Sequence, residues 1–229
     1  MIIGFTGIEL PQGKIKFHDQ RLITLADKDK PKKISPYFFE FVLDEFIQSF
    51  VIVVPKDKVL DILIYDMEKI ENRMQRISDP IETKLMEKCL NYLDQEILLC
   101  DISFNDSEKQ LLKLLSLISL KPIVLLKGDE DINNIIFLAI EKAAYMFFYT
   151  SGIQESHAWF VPKGSDIVSC AEKIHTDLAR GFIKGDVVKY QDYLEHHNFN
   201  ECKTKGIAKM VDKEYIVNPH EVIEIRFNI

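Results

Sequence analysis

The sequence predicts a mixed α/β chain, in which a reduced sheet carries an inserted antiparallel helical hairpin and is followed by a separate run of short strands. Three observations carry this. Short apolar or aromatic runs recur at 1–5, 37–42, 50–54 and 122–126, two of them bounded by Pro36 and Pro55, the pattern of buried strands. Segments of helical period lie between them, so strands and helices alternate up to about residue 145, as in an α/β layer. Beyond that point the sequence changes to strand-length pieces punctuated by Gly and Pro.

The start, Met1-Ile2-Ile3-Gly4-Phe5, has the composition of a first strand. It runs into a Gly-rich stretch, 7–14, that ends in Gly13-Lys14, the place at which a phosphate-binding loop would sit. Over 56–77 the apolar residues Leu60, Leu63, Met67, Ile70, Met74 and Ile77 are spaced three, four, three, four and three apart, a heptad seam on one long helix. Asp79, Pro80 and Glu82 then offer an N-cap, a first-turn proline and a capping-box acid. A second helix is therefore expected from there to about residue 99, antiparallel to the first because the break is so short. Further helices are expected over 105–118, opening on Asn105 and Glu108, and over 131–148, with a strand at 122–126 between them. In the C-terminal region the residues predict a strand at 158–161, a turn at Lys163-Gly164, Ser165 as the cap of a helix over 167–174, and an extended piece bracketed by Gly181 and Gly185. A closing hairpin is expected from 214–217 and 222–228 around Asn218-Pro219-His220.

Composition narrows the function classes. The net charge of −7 divides into −5 over 1–145 and −2 over 146–229, so neither half is a bulk basic nucleic-acid binder. The one dense basic run, Lys28 to Lys33, sits around Pro31 and reads as a solvated polar loop. No apolar run is long enough to span a membrane, and a start that holds Glu9 does not read as a signal peptide. Cys89, Cys100, Cys170 and Cys202 are widely spaced, which fits free thiols in a reducing cytoplasm better than disulfides or zinc. His196-His197 is an adjacent pair whose side chains diverge, so no metal is expected there. Asp129-Glu130-Asp131 reads as an acidic helix start.

The blocks Ala158-Trp159, Lys163-Gly164-Ser165, Ile174-His175-Thr176-Asp177, Gly181-Phe182-Ile183, Asp186-Val187, Tyr215-Ile216-Val217 and Arg226-Phe227-Asn228-Ile229 strongly resemble the C-terminal TGS domain of the YchF-type, Obg-like ATPase and GTPase family. That resemblance implies a C-terminal β-grasp (TGS) domain over 147–229. A weaker likeness upstream, in 19–46, 59–77, 84–97 and 117–131, implies a reduced, G-domain-like sheet over 1–146 with a helical arm at about 56–99. The chain thus resembles a shortened member of the family with a degenerate G domain. Members of the family bind ATP or GTP and associate with ribosomes.

The nucleotide motifs that the resemblance calls for are degraded. The family loop is Gly-x-Pro-Asn-Val-Gly-Lys-Ser; here Glu9 stands where its first glycine belongs, one residue is missing between Pro11 and Gly13, and Ile15 replaces the hydroxyl that would hold magnesium. The Asp-x-x-Gly position holds Asp44-Glu45-Phe46 without a glycine, and the base-reading Asn-x-x-Glu appears as Lys127-Gly128-Asp129-Glu130. Gly13 and Lys14 are accordingly read as a vestigial loop in a tight turn. No catalytic residue, cofactor or metal is expected.

The expected function is a non-enzymatic, nucleotide-independent adaptor in the cytoplasm that meets the ribosome, RNA or a translation-linked protein. A degenerate ATP- or GTP-binding protein with weak binding or hydrolysis is the alternative. Self-association through the heptad seam is a third reading. Contact with a partner is placed on His175, Arg180 and Lys184, with Arg180 and Lys184 projecting to one face of an extended stretch and Lys189 to the other.

Overall fold

A computed structural model describes residues 1–228. They form two compact units, one built from 1–15 and 39–143, the other from 16–38 and 144 onwards. The expected division at 146/147 thus needs one correction: residues 16–38, assigned by sequence to the first unit, pack with the second.

The first unit is a five-stranded sheet of β1 (Ile2–Phe5), β2 (Gly13–Lys16), β4 (Phe38–Leu43), β5 (Val51–Pro55) and β6 (Ile123–Leu126) in the order β2-β4-β1-β5-β6; β3 (Lys33–Ser35) belongs to the second unit. From β4 to β6 the strands are parallel, with Ile3 opposite Phe41, Gly4 opposite Ile52 and Val53 opposite Val124. Residues 51–54 are buried without interruption, the signature of a strand covered on both faces.

Helix α2 (Val59–Met74) and α3 (Pro80–Asp94) follow β5. Asp79 caps α3 by accepting from the Ile81 amide at 3.0 Å, and Arg73 grips Glu82 across the break through Nε at 2.7 Å and a second nitrogen at 3.1 Å. The heptad seam turns inward: Leu63 and Ile70 are fully buried, and Met67 and Met74 pack on the same core as Leu85, Met86 and Cys89. Only Leu60 of its first five members lies substantially in solvent. A seam occupied by its own core offers little to a second chain.

Helix α4 (Asp106–Lys113) starts on the full capping box of Asn105 and Glu108 but stops five residues short of the expected Ile118. Ser116 takes a left-handed conformation, φ +49°, and a 3₁₀ turn, Ile118–Leu120, replaces the last helical turn. That turn is held by Asp66 of α2, fully buried, which accepts from the amides of Ile118 at 2.9 Å and Ser119 at 2.6 Å. Helix α5 (Ile132–Lys142) is capped by Asp131 and ends before the predicted 148, because Ala144 turns left-handed and the aromatic run behind it forms a strand.

The second unit is a six-stranded sheet in the order β10-β9-β11-β7-β8-β3, made of β3, β7 (Tyr145–Thr150), β8 (Glu155–Pro162), β9 (Phe182–Val188), β10 (Lys209–Val211) and β11 (Val222–Phe227). Helix α6 (Ile167–Ile174) buries Ile167, Cys170 and Ala171 against Met146, Phe148, Val161 and Val187. Its cap is Asp166, accepting from Val168 at 2.9 Å and Ser169 at 2.8 Å, and not Ser165. The closing hairpin is also corrected. β11 pairs antiparallel with β9 and parallel with β7, while 214–217 forms a loop tied by Glu221, which accepts from the Tyr215 hydroxyl and the Asn218 amide.

Helix α1 (Gln20–Asp29), unforeseen in the sequence, explains why 16–38 joins this unit. It buries Leu22, Leu25 and Ala26. At its start Asp19 accepts from the Arg21 and Leu22 amides and from the Tyr149 hydroxyl at 2.8 Å; at its end Asp29 accepts from the hydroxyls of Ser151 at 2.6 Å and Tyr193 at 2.8 Å. Phe17 stacks on Phe147 with ring centroids 5.7 Å apart.

The four thiols are free. Burial pushes Cys89 up to about 11 and Cys170 up to about 12, far from the thiolate range that reactivity needs.

Carboxylates set the acid limb of stability. Ser35 and Lys33 hold Glu155 below its ordinary value, and Lys205 with the His197 amide brings Glu201 to about 2 from 4.5. A lowered folded value contributes stability that is full above the unfolded value and is lost as the pH falls through the folded one. Asp19 is raised, by burial, and works in the opposite sense, its contribution being lost as the pH rises. The melting temperature is therefore expected to fall between pH 4.5 and 2 in a calorimetric series, and Glu201→Gln should flatten that fall.

Candidate functional site

The positions at which nucleotide chemistry would sit are the first to consider. Gly13 and Lys14 open β2, an edge strand of the first sheet. Sequence placed them in a tight turn; Gly13 does take φ +94°, but the residues after it run straight into the strand. A phosphate loop works by feeding amides from a helix N-terminus onto the anion. Here 6–12 link strand to strand, and Lys14 and Lys16 are exposed on β2.

Asp44 follows β4 in a left-handed conformation, φ +55°, in an exposed loop. At 127–130 the acid of the base-reading position is taken up locally. Both Glu130 oxygens accept from the Lys127 amide, at 2.9 and 3.1 Å, and one accepts from Gly128 at 2.9 Å. Those bonds hold its carboxyl below the usual range. Asp131 is engaged as the α5 cap through the Asn134 amide at 2.8 Å.

The residues expected to contact a partner are each engaged locally. His175 is the N-cap of α7 (Thr176–Arg180); its Nδ1 accepts from the Asp177 amide at 3.1 Å. Arg180 ends the same helix and pairs with Asp177 at 2.9 Å, its side chain 70% exposed. The shared extended face is therefore corrected: Arg180 is helical, with Gly181 ending α7 and letting the chain turn into β9, where Lys184 pairs with Asp212. Gly181 is required at that step, since a side chain there would collide with the Asn228 backbone.

On the outer face of the same sheet Asp186 is buried beneath Arg226, whose guanidinium donates at 2.6 and 2.8 Å, and Lys203 at 3.2 Å. His196 Nδ1 lies 2.6 Å from the Asp192 carbonyl, and the backbone amide of His197 donates to Glu201. Among the described residues no group of three or more His, Cys, Asp or Glu is placed to hold a metal, and no helix is long and apolar enough to cross a membrane.

Residues 145–228 match the family YchF-GTPase_C, described as a protein of unknown function (DUF933). The "Ribosome-binding ATPase YchF" of Buchnera aphidicola from Schizaphis graminum is 24% identical over 217 residues, 70% of this chain and 60% of that protein. The "Ribosome-binding ATPase YchF" of Bacillus subtilis is 25% identical over 237 residues, 74% of this chain and 65% of its own length. The chain is thus similar to proteins of the YchF type. The Schizosaccharomyces pombe YchF GTPase structure shares its fold, with a TM-score of 0.74 at 17% identity over 96% of this chain and 88% of the other. The chain spans roughly three fifths of the length of these curated bacterial relatives.

A cavity of about 580 Å³ lies in the first unit, among Asp44, Ile47, Tyr65, Leu117 and Lys121, without a local sequence signal. Lys121 lies just ahead of the strand β6. Its role depends on carbonyls more than seventy residues away, which no local pattern encodes.

Proposed function

We propose that the chain is a nucleotide-independent adaptor of the translation apparatus: a YchF-type protein whose G-domain-like sheet is degenerate and whose C-terminal TGS domain meets the ribosome. The observation that carries the first half is the path of Gly13-Lys14, which enters an edge strand and presents no helix N-terminus to a phosphate. The local use of Glu130 supports it, since a base-reading acid must leave its oxygens open to the ligand.

Ribosome association is proposed from the ribosome-binding relatives together with the surface of His175, Arg180 and Lys184. Because Arg180 lies on Asp177 and Lys184 on Asp212, this region suits a protein surface of mixed charge better than a run of phosphates. RNA phosphates would demand unpaired cations and give a steep salt dependence.

Co-sedimentation with ribosomes, with and without Mg-ATP or Mg-GTP, is the test. The chain should pellet equally in all three conditions, and raising salt from 50 to 200 mM should weaken it less than ten-fold. Arg180→Glu with Lys184→Glu should reduce pelleting several-fold at low salt. Pelleting that appears only with nucleotide would contradict the reading.

A further inference from the structure

The connection from β4 to β5 is unusually short. Both strands pair in parallel with β1, and a parallel crossover ordinarily takes a dozen or more residues, most often a helix that covers the sheet. Here seven residues, 44–50, make the connection without one. They are pinned flat. A methyl group at Gly4 would overlap Ser49 Oγ, and the Lys121 ammonium donates to the carbonyls of Phe46 and Ile47, both at 2.6 Å, and of Ser49 at 2.8 Å. Beside this pinned crossover lies the 580 Å³ cavity, walled on its other side by α2.

One wall of the cavity is long enough to lie against a helix. Asp61, Tyr65 and Lys69 line it at intervals of four along α2, a wall of about 12 Å, the length of two helical turns. Leu117 and Ile118 are buried at its lining, while Ile47 is 94% exposed on the rim and Tyr65 is 49% exposed. Together Ile47, Tyr65 and the Leu117–Ile118 floor make a contiguous apolar surface, the kind that marks an interaction site where a lone exposed side chain would not.

Charge selects the occupant. All three donors of Lys121 are satisfied by carbonyls, and Lys69 is drawn back onto the Ser116 carbonyl at 3.0 Å and over the Tyr65 ring at 4.5 Å. Asp44 and Asp61 are exposed and, among the described residues, belong to no ion pair. With both lysines turned onto main-chain carbonyls, the carboxylates of Asp44 and Asp61 are the lining charges left open to a partner's cations. We propose that the groove receives an amphipathic helix from a partner protein, with apolar residues at i, i+3, i+4 and i+7 and Lys or Arg on its flanks. The partner supplies in trans the crossover helix that this fold omits. The assignment stands independently of the ribosome reading.

The test uses the full chain and two labelled fourteen-residue peptides of one apolar pattern, one Leu/Lys and one Leu/Glu, followed by fluorescence anisotropy. The Leu/Lys peptide should bind at least ten-fold more tightly than the Leu/Glu peptide. Ile47→Asp should weaken it at least ten-fold, although the added negative charge would strengthen unspecific attraction. Ile153→Asp, on an exposed isoleucine of the other unit, should leave it unchanged. Ile47→Asp alters a solvated side chain, and a circular dichroism spectrum matching the wild type verifies its fold; Tyr65→Ser, expected to weaken binding several-fold, is the second variant. Equal affinity for wild type and Ile47→Asp overturns the proposal. So does a dimer that Ile47→Asp dissolves, which assigns the groove to a second copy. Saturation of the Ile118 and Ser119 amide shifts by octylammonium, without competition from the peptide, would assign it to a small amine and equally overturn it.

Discussion

Asp66→Ala is expected to lower unfolding stability by about 2–4 kcal/mol, because it strands two buried amide donors at about 1–3 kcal/mol each. Asp66 is wholly inside the first unit, and its two oxygens accept from Ile118 and Ser119. Those bonds fix the 3₁₀ turn that leads into β6, so the effect reaches beyond one helix. Asp66→Asn keeps a single acceptor oxygen and should recover part of the loss. Urea unfolding of the three proteins measures it. A change under about 0.5 kcal/mol for Asp66→Ala, the size of an ordinary surface substitution, would show that the turn stands without its carboxylate.

The second large effect concerns how the C-terminal unit is completed. The fragment 144–229 without 16–38 should be less stable than the unit in the whole chain by about 3–6 kcal/mol, from the loss of Leu22 and Leu25 burial at about 1.5–3 kcal/mol each. Both leucines are fully enclosed, and Tyr149 and Tyr193 place their hydroxyls on Asp19 and Asp29 at the two ends of α1. A peptide of 16–38 added in trans should bind the fragment and restore dispersed amide signals. A fragment equally stable with and without that peptide would contradict the placement of α1. This expectation replaces the autonomous 147–229 domain that the sequence alone suggests.

That difference marks what was legible in the sequence and what was not. Strands of continuous apolar composition, such as Val51–Pro55 and Ile123–Leu126, and helices with complete caps, such as α3 behind Asp79-Pro80 and α4 behind Asn105, lay within a residue or two of their expected starts. Their causes are local. Helix α1 escaped because its apolar stripe, Leu22, Leu25 and Ala26, is brief and its stability comes from tyrosines more than a hundred positions away. The helix expected to reach 148 stopped at Lys142 because tertiary pairing of Tyr145–Thr150 with β8 outweighed helical period. Of the site, the degraded motif positions could be read directly, since each depends on residue type. The pairing of Lys184 could not, because Asp212 is distant in sequence, and that of Arg180 with Asp177 three residues before it was hidden by reading the stretch as extended where it is helical. Nor could the groove beside 44–50, which depends on where a short crossover lies on the sheet.

The central claim is that the sheet of the first unit no longer serves a nucleotide. Isothermal titration of the full chain with Mg-ATP and with Mg-GTP, up to millimolar concentration, tests it most directly. The account predicts no saturable heat, meaning an affinity weaker than the roughly 4 kcal/mol of a millimolar complex. A micromolar isotherm that Lys14→Ala abolishes would contradict it, because an edge-strand lysine on β2 would then be acting as a phosphate ligand.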